Sequence, residues 1–132
     1  MAMNWKNQRR ILAVHEQLHR IEVGRLSQLE RRARELKEEE TRIVECLDGN
    51  RNLITLFPEV VLQRLKANIR QQQELRKEVD RQTNVTLEQA KRVKQAERLV
   101  ADAQMERDRA MELEALREVI EHCTTPRDFS AP

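Results

Sequence analysis

Residues 15–19 read His15-Glu16-Gln17-Leu18-His19, the H-E-x-x-H pattern. On a helix, two imidazoles four residues apart share a face and can hold Zn²⁺, while the carboxylate between them activates a metal-bound water. Such a centre also needs a third protein ligand and a walled cleft. Glu38, Glu39 and Glu40 are the obvious acidic run downstream. On one straight helix, however, a rise of ~1.5 Å per residue puts them ~30 Å from the pair. His122 is further still along the chain. The bland alternative is two imidazoles on a helix flank, with Leu18 between them in an apolar seam. No glycine-rich phosphate loop, nucleophile elbow or Cys-x-x-Cys is present. The residues therefore predict no enzyme, no catalytic residues, no metal and no cofactor.

The elements that carry these residues are long helices. The chain has 132 residues, 36% of them charged and only 2% aromatic, with two Gly and three Pro. A compact domain draws on aromatic side chains for its core and on Gly and Pro for its turns. Regularly spaced aliphatic residues exclude disorder. Such a composition describes extended helical pairing. No apolar run approaches the ~20 residues that span a bilayer, so no membrane insertion is expected. With two cysteines and no export signal, the expected location is cytoplasmic. The net charge of +2 hides a basic middle and an acidic end: residues 51–100 carry 11 basic and 6 acidic side chains, residues 101–132 carry 4 and 8. A nucleic-acid footprint would want a concentrated basic face with stacking aromatics, so no nucleic acid is expected.

The pattern predicts an all-α fold, an antiparallel two-helix coiled-coil hairpin with a longer second helix, forming one domain over residues 1–132. The first helix is placed at about 5–47, with Asn4 as its N-cap. Its seam reads Ile11, Val14, Leu18, Ile21, slips near Gly24, and resumes as Leu26, Leu29, Ala33, Leu36, Glu40, Ile43, Leu47. Taking Leu18, Glu22 and Leu26 as consecutive core sites makes the slip a stutter. Arg31-Arg32-Ala33-Arg34, followed by Glu35 to Glu40, reads as a solvated, charge-paired face. Asp48-Gly49-Asn50 ends the helix with residues that accept a left-handed cap, and the turn spans 48–57. Pro58 and Glu59 suit the first turn of a second helix, placed at about 58–121. Its seam is read as Leu62, Leu65, Ile69, Gln72, Arg76, Val79, Gln82, Thr86, Gln89, Val93, Ala96, Val100, Ala103. A loose tail occupies 124–132.

Unequal arms have a consequence. The second helix must overhang the first by ~30 Å, roughly residues 102–121. That stretch is acidic and carries Ala103, Ala110, Leu113, Leu116 and Ile120 without an intrachain partner, and a bare apolar stripe marks an interface. At the open end, Trp5 either caps the seam or anchors a partner. The hairpin also separates Cys46 from Cys123 beyond the ~7 Å that a disulfide spans.

Two stretches add a resemblance to this architecture. Val61-Leu62-Gln63-Arg64-Leu65-Lys66-Ala67-Asn68-Ile69 follows the turn, and the basic, heptad-like Leu87-Glu88-Gln89-Ala90-Lys91-Arg92-Val93-Lys94-Gln95-Ala96-Glu97-Arg98-Leu99 lies later in the second helix. With the short first helix and longer second helix, the chain resembles the FliJ/YscO family, the coiled-coil stalk proteins of flagellar and type III secretion export. The resemblance implies a cytoplasmic protein peripheral to a membrane export apparatus, coupling a hexameric export ATPase to the export gate. It implies that the open end, with Trp5, Ile11, Ala110, Leu113, Leu116 and Ile120, enters the export ATPase ring. It implies that the turn end, with Phe57, Val61, Leu62 and Leu65, meets an export gate protein of the FlhA kind, and that export chaperones are further partners. The alternative is a generic cytosolic coiled-coil adaptor or scaffold dimerising through the 102–121 overhang.

Overall fold

The computed structural model describes residues 3–49 and 55–124. It is an all-α hairpin of two antiparallel helices, α1 (Met3–Gly49) and α2 (Pro58–Thr124), the second longer by 20 residues, 67 against 47. Both helices extend slightly past the expected bounds, because a helix carries on until its pairing and its breakers end it. Met3 is already helical, so Asn4 lies inside the first turn of α1 instead of capping it. At the other end α1 stops at Gly49 without a positive φ, so the expected left-handed cap is not formed there. Asn50, Leu53, Ile54 and the tail 125–132 lie outside the described residues. The Phe57 carbonyl accepts the Val61 N–H at 3.3 Å, which starts the α2 ladder.

Packing divides the chain into two compact units. The turn unit, Gln17–Lys91, pairs the second part of α1 with the first part of α2. On α1 the inward positions are His19, Glu22, Leu26, Leu29, Ala33, Leu36, Glu40, Ile43 and Leu47. On α2 they are Val61, Leu65, Asn68, Gln72, Leu75, Val79, Gln82, Thr86 and Gln89. Both sets alternate three and four residues without a break, the spacing that keeps one helix face on a partner. The direction of pairing is fixed by cross-helix hydrogen bonds: Asn68 Nδ2 donates to the Leu36 carbonyl at 3.0 Å, and Gln82 Nε2 to the Glu22 carbonyl at 3.2 Å. As one number rises the other falls. Leu36 is the best-buried large side chain of this unit, 2% exposed.

Three sequence expectations are corrected here. Leu18 and Ile21 are exposed, and Glu22 and His19 take the seam in their place. The phase runs unbroken past Gly24, so there is no stutter, and a Cβ at Gly24 would meet nothing within 4 Å. On α2, Leu62, Ile69 and Arg76 are exposed, and Val61, Asn68 and Leu75 face α1. On α1 the run from Leu18 to Ile21 was offset by one residue, whereas on α2 Leu65, Gln72 and Val79 face inward as expected and only the positions alternating with them were one residue late. The three-four phase that α2 keeps without a break from Val61 to Gln89 puts Val61, Asn68 and Leu75 on the inward face and leaves Leu62 and Ile69 beside it.

The open-end unit joins Met1–Glu16 to Arg92–Pro132. Its inward positions are Trp5, Gln8, Leu12 and His15 on α1, and Val93, Ala96, Val100 and Ala103 on α2. Small Ala96 and Ala103 are both buried, which lets the larger α1 side chains sit close to the α2 backbone. Ile11 and Val14, expected in the seam, are exposed. From Met105 to Thr124 every residue of α2 is exposed. The overhang therefore starts about three residues later than expected, and Ala103 is covered by α1.

Candidate docking surfaces

In the turn unit, α1 and α2 leave an apolar groove of about 520 Å³. It is lined by Ile43, Cys46, Leu47, Phe57, Val60 and Val61. Glu39, Arg42 and Arg64 form a charged margin, where Arg64 Nη2 stands 3.8 Å from Glu39 Oε1. Of the turn-end residues expected from sequence, Phe57 and Val61 meet in this groove. Leu65 is a half-buried seam residue, and Leu62 stands exposed outside the groove.

The open-end unit holds Trp5 half-buried between two guanidiniums, Arg9 at 4.9 Å and Arg107 at 4.1 Å from the ring centroid. Cation–π contact of this kind holds the ring in place. Trp5 thus closes the seam, and with Ala103, Ala110, Met111, Glu106 and Glu114 it lines a shallow groove of about 320 Å³. The structure brings Trp5 and Ala110 together and leaves Ile11, Leu113, Leu116 and Ile120 outside that groove, all of them exposed.

The polar seam positions read from the sequence, Gln72, Gln82, Thr86 and Gln89, face inward, and Asn68 joins them. Asn68 accepts from Gln72 Nε2, which also reaches Glu40 Oε2 at 2.8 Å. Gln82 and Thr86 both donate to the Glu22 carbonyl, and Gln82 also donates to the Glu22 carboxylate. The Gln72 amide, and after it Lys37, hold the Glu40 carboxyl below the usual carboxylate range. Extending the strict three-four phase back from Ala103 would have found Asn68 and Leu75 on the inward face. Gln8 Oε1 is buried with no hydrogen-bond partner among the described residues.

The H-E-x-x-H residues lie on α1, with His15 and His19 at half-buried seam positions and Glu16 half-buried beside them. No group of three or more His, Cys, Asp or Glu among the described residues could hold a metal ion. Cys46 and Cys123 are both free and exposed. Arg32 pairs with Glu35 at 3.4 Å, as the solvated reading of that cluster expects. No helix of the described residues is long and apolar enough to cross a membrane.

No family model, curated protein or solved structure matches the chain.

Proposed function

We propose that the chain is a docking protein of the export-stalk kind, which joins an export ATPase ring to an export gate protein through protein–protein contacts. One observation carries the reading. From Met105 to Thr124 every residue of α2 is exposed, and outside the groove at Trp5 the helix presents Leu113, Leu116 and Ile120 in a three-four spacing. Side chains of that size, left in water by the chain's own fold, mark an interface. The turn unit supports the second contact with its own apolar groove around Phe57 and Val61. In this reading the open-end unit serves the ATPase ring, the turn unit serves the gate, and export chaperones are further partners.

The test is retention on the immobilised hexameric export ATPase and, separately, on the cytosolic part of the gate protein. Leu113→Glu with Ile120→Glu should weaken ATPase retention by about tenfold or more, the loss expected for apolar anchors, and leave helicity unchanged. Phe57→Glu should weaken gate retention alone. Equal loss at both partners, or retention at neither, overturns the stalk and leaves a self-associating adaptor.

A further inference from the structure

Polar contacts show how the two helices of the turn unit are aligned. Thr86 Oγ1 donates to the Glu22 carbonyl at 3.5 Å. From that pair the inward steps of α1 and α2 match one for one in opposite directions, alternating four and three. They set Leu29 opposite Val79, Ala33 opposite Leu75, Ile43 opposite Leu65 and Leu47 opposite Val61 as apolar layers, and Glu40 opposite Asn68. Leu47 and Val61 accordingly line the same groove.

A heptad repeat admits other alignments, because sliding one helix by seven residues, ~10.5 Å, returns the same faces to each other. The connection does not forbid a slide, since the six residues from Gly49 to Thr55 reach up to ~20 Å. In the open-end unit Ala96, one heptad before Ala103, would receive Trp5, at the loss of the Arg107 contact. In the turn unit the same slide still lays Leu26 on Leu75 and Leu36 on Leu65. What it cannot place are the two carboxylates of the α1 seam: Glu22 meets Val79, and Glu40 meets Val61. The opposite slide sets Glu40 against Leu75. As aligned, Gln82 donates to the Glu22 carboxylate and Gln72 to that of Glu40 at 2.8 Å, while Arg25 and Lys37 hold their outer sides at 3.0 and 3.2 Å. These two glutamate side chains are only 15% and 25% exposed. A slide would exchange their amide donors for hydrocarbon, which is costly for a group so far out of water.

We propose that Glu22 and Glu40, with the amides that meet them, are a register lock: they close the slid alignments that the heptad pattern leaves open. A polar pair in a helical seam sets alignment at some cost in stability, and here two of them act on the same helix pair. The lock also builds the docking groove of the turn unit. One heptad of slide would carry Val61 from Leu47 to Glu40 and dissolve the apolar wall that the two helices share. Glu22 and Glu40 are therefore positioning residues for that groove. The inference goes beyond the stalk reading and holds whatever occupies the groove.

The test is the distance between nitroxide labels at Gln28→Cys and Gln63→Cys, two exposed positions of the turn unit, in the full chain with Cys46→Ser and Cys123→Ser. The labelled parent should give one distance. Glu22→Ala with Glu40→Ala removes both carboxylates without adding a large side chain. It should bring in a second population, about a tenth of the molecules or more, displaced by ~10.5 Å along the axis. Glu22→Gln with Glu40→Gln keeps an oxygen that accepts from Gln82 and Gln72, and should return a single distance. A parent with two distances, an alanine double with one, or a glutamine double as divided as the alanine double overturns the lock. Loss of helicity in the alanine double overturns it too, because the layers would then supply stability and not alignment. No partner enters these measurements, so the lock and the stalk reading fail separately.

Discussion

Two buried amides show how a single residue acts in this seam. Asn68 is 3% exposed, yet its Nδ2 reaches the Leu36 carbonyl and its Oδ1 receives Gln72. Gln8 leaves its Oε1 buried without a hydrogen-bond partner among the described residues. An unmet buried acceptor costs ~1–3 kcal/mol and its removal recovers part of that. Gln8→Leu should therefore stabilise the protein by ~1 kcal/mol, read as a higher urea midpoint at unchanged slope. Glu40 gives a pH signature. Its carboxyl is held below the usual range by the Gln72 amide first and by Lys37 second. The folded chain thus resists protonation more than the unfolded one, and the stabilisation is complete above the ordinary carboxylate value. It is lost as pH falls through the lower folded value. Glu40→Gln should flatten stability against pH within that acid window and leave the neutral limb parallel to the parent.

At the scale of the helix, propensity and phase divide the work. Gly24 is an exposed helix interior position where a Cβ would meet nothing within 4 Å. Gly24→Ala should stabilise by ~0.5–1 kcal/mol through helix propensity alone, seen by chemical denaturation, whereas a functional hinge there would show lost partner binding. Leu36, 2% exposed, should cost ~2–4 kcal/mol as Ala, because a hairpin has few neighbours to close the cavity. The helices and their unequal lengths were legible in the sequence: Gly49 and Pro58 bracket the turn, and Leu26 to Leu47 and Val79 to Ala103 keep strict phase. The register beside them was not. Ile11, Val14, Leu18 and Ile21 repeat with the same period as the true seam but one residue ahead of it, so periodicity alone could not choose between two interlaced sets. Only continuity of phase from the unambiguous stretches does so, and it assigns the inward face to Gln8, His15, His19 and Glu22. The docking residues were legible as apolar side chains, but their division into a groove at Trp5 and Ala110 and an exposed strip at Leu113 to Ile120 follows from that register.

For the molecule as a whole, stability and recognition fall on different stretches. Residues 105–124 are all exposed, although Arg107 stacks over Trp5 and Glu106, Ala110, Met111 and Glu114 share its groove. Ending the chain after Gln104 should shift the thermal midpoint by less than about 4 °C while it abolishes retention on the export ATPase and leaves retention on the gate protein. A collapse of the fold on that truncation would mean that the overhang is structural. The indole between Arg9 and Arg107 has a further use. It is the chain's single tryptophan, so ultraviolet excitation interrogates the first turns of α1 and nothing else. Fraying there, or a guest settling into the neighbouring groove, would change the emission colour and its quenching by iodide, giving a label-free titration signal.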